Sequence, residues 1–132
     1  LLKKYLEKNS HNYNLNDFIQ PLAKSFGRLE QVTSFISSKG LSNPDEAAGP
    51  AVDYLKMFSL VAIGYVWTQY AEISFNKQNE DHASFYKAKI ASGKYYMSKI
   101  LPETEYLMSS ILSGAKYYND FEDEYFDLGF SL

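Results

Sequence analysis

Between Met57 and Trp67 only Ser59 and Gly64 are not apolar. A run like this has no polar face to give solvent and none of the alternation that marks a half-buried strand. Its flanks decide what it is. Asp53 and Lys56 precede it and Gln69 and Glu72 follow it, which leaves about eleven clean positions where a membrane span needs roughly twenty. The stretch therefore predicts a core helix from about residue 50 to about residue 76, hydrophobic nearly all round and set in the middle of a bundle. Ser59 and Gly64 are the points where its neighbours are expected to approach closely.

Three more segments carry helical spacing. Leu15, Ile19, Leu22, Phe26, Leu29, Thr33 and Ile36 recur at three or four residues, one stripe of an amphipathic helix. Pro21 marks its first turn and Gly40 its stop. Asn43, Pro44, Asp45 and Glu46 form a cap, a first-turn proline and two acids at a positive helix end, before Gly49 and Pro50 interrupt the chain. A third helix is expected from about residue 83 to residue 101, capped by Asn79 or Asp81. One of its stripes is Tyr86, Ile90, Gly93, Met97 and Ile100, and a second is Phe85, Ala88, Ala91 and Tyr95. Pro102 ends or kinks it and can open a fourth helix, with Glu103 and Glu105 in the first turn and Thr104, Leu107 or Met108, Ile111, Ala115 and Tyr118 on one face. No dipeptide turn joins two alternating runs, so strands are not expected. The fold class is all-α, an antiparallel four-helix bundle with a central, largely buried second helix. Residues 1–14 are read as a linker or short helix, 15–126 as the bundle and 127–132 as a tail.

A chain of 132 residues fits one domain, which buries roughly two thirds of its unfolded surface and needs no staple. Cysteine is absent, which removes disulfides and thiolate chemistry and accords with a cytoplasmic location. Thirteen basic against sixteen acidic residues, with no basic cluster, give no footprint for nucleic acid. Arg28 is the single arginine among those thirteen, so bidentate clamps on phosphate are not expected. The start at Leu1, without Met or leader pattern, reads as a piece of a longer chain.

Candidate chemistry resolves into structural roles. His11 and His82 lie in polar loops far apart, without the second ligand that a metal site requires. No Glu-x-x-His occurs, so the di-iron pattern of bundles is missing, and the scattered glycines draw no phosphate loop. Glu103 and Glu105, two apart on a helix, face different ways and complement its dipole. Asp53 and Lys56 are expected to pair on the surface. Glu72 is weighed as a buried acid and set below an exposed one. Tyr65, Trp67 and Tyr70 read as core rather than as a stacking platform. Lys87, Lys89 and Lys94 do not share a face and read as solvated. No catalytic, cofactor-binding or metal residue is assigned.

Three stretches, taken together, resemble a known domain. They run from Ala51 through Tyr54, Leu55 and Phe58 to Val61, Gly64 and Trp67; from Phe85, Tyr86, Ala88 and Lys89 through Tyr95 to Met97; and across Ile100, Leu101, Pro102, Glu103 and Thr104. Their order and spacing are similar to the C-terminal helical extension of acyl-CoA dehydrogenases of the 3-methylmercaptopropionyl-CoA dehydrogenase kind, over about residues 15–126. The departure is Gly49-Pro50, where that family continues a helix. The resemblance implies a parent flavoprotein whose FAD, acyl-CoA pocket and catalytic base lie in a preceding catalytic body. The extension itself would hold no cofactor. Its expected partners are that body and a second subunit, with no nucleic acid and no transmembrane segment. A free-standing helical interaction module is the alternative.

Overall fold

A computed structural model describes residues 1–42 and 49–114. Among them every regular element is helical. Helix α1 spans Leu2–Asn9, a 3-10 turn spans Tyr13–Leu15, α2 spans Asn16–Ser42 and α3 spans Ala51–Lys77. Helix α4 spans Ala83–Tyr95, a π-helical turn covers Tyr96–Ile100, and α5 spans Glu103–Leu112. The four expected helices are thus all present, and α2 runs two residues past Gly40. The cap region of Asn43, Pro44, Asp45 and Glu46, and the continuation through Ala115 and Tyr118 into the tail, lie outside the described residues.

Pro21 sits inside α2 rather than at its first turn. It withholds the amide hydrogen that the carbonyl of Asp17 would otherwise receive. One turn later Ser25 Oγ donates to the Pro21 carbonyl at 2.8 Å. The inward stripe of α2 is close to the expected one: Leu15, Ile19, Leu22 and Leu29 are buried, joined by Phe18, Ser25 and Val32. Thr33 instead faces outward, its hydroxyl 2.9 Å from that of Tyr54 on α3. Fully burying a side chain such as Phe18 or Leu22 stabilises the fold by about 1.5–3 kcal/mol.

Helix α3 packs against α2, α4 and α5, but it corrects the expectation of a largely buried helix. Met57, Leu60, Val61, Gly64, Thr68, Ala71 and Ser74 make a buried face. The opposite side exposes Val52 (79%), Leu55 (65%), Ile63, Val66, Tyr70 and Ile73 (51%). The reason is the number of neighbours. Helix α2 covers one flank of α3 and α4 with α5 covers the other, α1 meets it at Tyr65 and Glu72, and no described element lies over the side that carries Val52, Leu55, Val66 and Ile73. Apolar residues all round showed that the helix has little use for water, but not which elements would exclude it.

The course of the chain after α4 also differs from four helices that each reverse the one before. Lys89 lies over Tyr70, 5.8 Å from the ring centre, and Tyr96 donates to the Leu60 carbonyl at 2.6 Å. Farther on, Glu103 pairs with Lys56 at 2.6 Å and Ser110 donates to Asp53 at 3.4 Å. Residue numbers rise from 89 to 110 along one rod while they fall from 70 to 53 along α3. Helix α5 therefore continues in the direction of α4. Pro102 kinks the path without turning it back.

The break between α4 and α5 begins earlier, at the π turn. The Leu101 amide donates to the Tyr96 carbonyl at 2.9 Å, five residues back, one more than in an α-helix. Ile90, Gly93 and Met97 are buried as the stripe predicts, but Ile100 is 38% exposed and Leu101 is buried in its place. The extra residue has moved the inward position on by one. Thr104, Leu107 and Ile111 then carry the core face along α5. At the other end of α4, neither Asn79 nor Asp81 is the cap residue. His82 is, in the left-handed region at φ 66°, with its carbonyl accepting from Phe85 at 2.9 Å.

Candidate functional site

Three polar or aromatic clusters tie the helices together, and each uses residues that the sequence singled out for other reasons. The first joins α1 to α3. Tyr5 Oη donates to Glu72 Oε2 at 2.7 Å and stacks edge-on against Tyr65, ring centres 5.1 Å apart. Gln69 Nε2 donates to the Tyr65 hydroxyl at 3.1 Å. Glu72 is partly buried and spends its charge on Tyr5. Burial, then the hydrogen bond and charge of Glu72, push the Tyr5 phenol above its ordinary range.

The second cluster fastens α5 to its neighbours. Glu103 and Glu105 face different ways, as two residues apart on a helix must. Glu103 pairs with Lys56 of α3, and Glu105 lies 3.8 Å from Arg28 of α2. Lys56 thus turns from the expected Asp53 to Glu103, whose hydrogen bond and charge hold its ammonium above the usual range. The single arginine, assigned no role from the sequence, also donates to Thr104 Oγ1 at 3.2 Å. Thr104 is fully buried and donates in turn to the Leu101 carbonyl at 2.9 Å. The signal was there in a polar residue on an otherwise apolar stripe, but its partner is 76 residues away.

The third cluster is aromatic. Of the lysines at 87, 89 and 94, Lys94 pairs with Asp17 at 3.4 Å. Lys89 stands over Trp67, Tyr70 and Phe85, at 5.9, 5.8 and 5.4 Å from their centres, within reach of cation–π attraction. Tyr70, Ile73, Phe85 and Lys89 line a shallow groove of about 360 Å³. On the other side of Trp67, Tyr95, Tyr96 and Ile100 line a second, more open one of about 480 Å³. The Tyr96 phenol is pushed up to about 12, by burial first and by the Glu103 charge second.

His11 and His82 are both exposed and stay apart. Among the described residues no three His, Asp or Glu side chains gather as a metal site would need, and no helix is long and apolar enough to cross a membrane. The clusters can hold helices in place. None of them sets a nucleophile beside a base.

The raised groups make a pH prediction. In each case the fold favours the protonated form, so the stabilisation is complete below the unfolded value, about 10 for Tyr and Lys. It is lost as pH rises through the folded values. The melting temperature is expected to fall between pH 10 and 12 more steeply for the wild type than for Tyr96→Phe. That variant loses about 1 kcal/mol at neutral pH with its hydrogen bond. Parallel alkaline slopes in circular-dichroism melts would count against the assignment.

Among the described residues the arrangement is that of a helical domain whose polar and aromatic clusters tie its helices together. A family model described as "Acetyl-CoA dehydrogenase C-terminal like" matches residues 2–122. The chain belongs to that family. A search of the curated proteins gives no match. The span matched by the acetyl-CoA dehydrogenase C-terminal-like family begins with α1, and the contact of Tyr5 with Glu72 shows how that short helix is joined to α3. It also contains all three stretches whose order and spacing carried the resemblance.

Proposed function

We propose that this chain is an accessory domain of an FAD-dependent acyl-CoA dehydrogenase, whose catalytic body oxidises an acyl-CoA to the 2,3-enoyl-CoA. The family match over residues 2–122 carries the reading. The 3-methylmercaptopropionyl-CoA subtype rests on the three stretches that include Tyr54-Leu55, Phe85-Tyr86 and Leu101-Pro102-Glu103. FAD, acyl-CoA and the catalytic base belong in this reading to the catalytic body, and the location is the cytoplasm. The domain's part is to pack against that body and hold its position. Its own architecture is an antiparallel bundle in which α3 runs against α2 on one flank and against α4 with α5 on the other.

The test compares the parent enzyme with this chain alone. The parent is expected to bleach its flavin when an acyl-CoA is added under anaerobic conditions, while the 132-residue chain binds neither FAD nor a short or long acyl-CoA in calorimetric titration. Saturable binding of an acyl-CoA by the chain would make this bundle part of the substrate site, and a parent that leaves FAD oxidised would remove the reading. The exposed apolar side of α3 keeps one other reading in view, that of a stand-alone interaction module. An open reading frame that continues upstream of Leu1 into a dehydrogenase body would rule it out.

A further inference from the structure

The exposed side of α3 is ordered along its length. Val52, Leu55, Ile63, Val66, Tyr70 and Ile73 follow one another on a single stripe, with Lys56, paired to Glu103, at its edge beside Ile63. In the middle the stripe narrows to Ser59 and Ala62, both exposed. At its N-terminal end Val52 and Leu55 stand out from the surface, the two most exposed apolar side chains of α3. At its C-terminal end Tyr70, Ile73 and Phe85 border the 360 Å³ groove.

We infer that this face binds a second copy of the chain, with the two α3 helices antiparallel about a twofold axis between Ala62 and Ile63. A twofold interface is self-complementary, so one end of the stripe must fit the other. This stripe does. The axis sets Val52 opposite Ile73 of the second copy and Leu55 opposite its Tyr70, so the protruding end of each helix enters the groove of the other. Ser59 meets Val66 and Ala62 meets Ile63, a small residue against a branched one at both central positions, which allows close approach at the crossing. The antiparallel sense also places the positive end of each helix beside the negative end of its mate.

Size agrees with the assignment. The exposed apolar side chains of the stripe, with Phe85, present roughly 700 Å², close to the ~800 Å² per partner of a stable interface. An exposed apolar patch of that extent marks a binding face. The inference stands apart from the enzymatic reading, because it concerns mass and register rather than flavin chemistry.

Cross-linking tests it on the 132-residue chain, whose sequence has no cysteine to interfere. Ala62→Cys is expected to give a covalent dimer with a short bis-maleimide. Val52→Cys is expected to give none, because its two copies lie about 31 Å apart along the paired helices. Sedimentation equilibrium of the wild type is expected to show a monomer–dimer equilibrium, and Val66→Glu to weaken it roughly a hundredfold by burying two unpaired charges. Circular dichroism checks that Val66→Glu folds, and Leu55→Glu serves if it does not. A wild type that stays monomeric at every concentration overturns the inference and leaves the stripe to the catalytic body or to another protein. Val52→Cys cross-linking as readily as Ala62→Cys overturns it too, since the association then lacks this register. So does a dimer that the glutamates leave unchanged.

Discussion

Phe18→Ala is expected to lower the stability of this domain by about 3–5 kcal/mol. Phe18 is 0% exposed, on the inward stripe of α2. Its ring edge reaches across to α4, where it takes the space that a Cβ at Gly93 would need. Truncation removes the transfer energy of the ring and leaves a cavity that the surrounding helices close only in part. In a domain of this size each kcal/mol moves the melting temperature by about 3–5 °C. A drop of roughly 10–20 °C in a calorimetric melt is the expected result. A drop of under about 4 °C would mean that the helices collapse onto the vacated space and that the packing described here is loose.

Gly93→Ala tests the same contact from the other side. A Cβ at Gly93 would stand 2.6 Å from Phe18 Cε1 and 3.0 Å from its Cζ, with Trp67 at 3.3 Å. A ring that is fully buried has no space to retreat into. Alanine gains about 1 kcal/mol in helix propensity, and overpacking costs about 1–3 kcal/mol, so a net loss of up to about 2 kcal/mol is expected. Gly27→Ala on α2 is the control, since nothing lies within 4 Å of its added methyl group; there the propensity gain stands alone. Combining Phe18→Ala with Gly93→Ala should cost less than the sum of the two, by about 1–2 kcal/mol, because neighbours that clash are not additive. Strict additivity in the double-mutant cycle would show that the two residues do not touch.

The four long helices were legible in the sequence because the apolar period of each is local. The stripe of α2 and the first three members of the α4 stripe needed no knowledge of the rest of the chain. What failed was relational. Of Ser59 and Gly64, the two points where close approach is expected, Ser59 is exposed, whereas Gly64 is buried and an added Cβ there would meet Leu22 and Leu101 at 3.4 Å; the tighter contact is at Gly93, where the opposing residue is a phenylalanine. Lys56 was matched with Asp53, three residues away, yet it pairs with Glu103 on another helix. Spacing along one helix says which side chains share a face. It does not say which helix that face will meet.

The aromatic and polar clusters were half legible for the same reason. Tyr65, Trp67 and Tyr70 read as core, yet Tyr65 and Trp67 are half-buried and Tyr70 is exposed; Tyr5, Tyr96 and Lys89, which complete their surroundings, come from α1, the π turn and α4. The apolar side of α3 was misread in a more instructive way. A helix without a polar face belongs in an interior, and the interior need not be supplied by its own chain.

The π turn has a consequence for sequence comparison. It holds one residue more than an α-helical turn, which moves the inward position from Ile100 to Leu101. A sequence with one residue fewer here would keep the α-helical beat through this stretch and carry the counterpart of Leu101 one position earlier. An alignment that matches the two column by column through Tyr96–Ile100 would set core against surface from there to the end of α5. Between such sequences, chain length at this turn is the trait to compare before the identity of any residue after it.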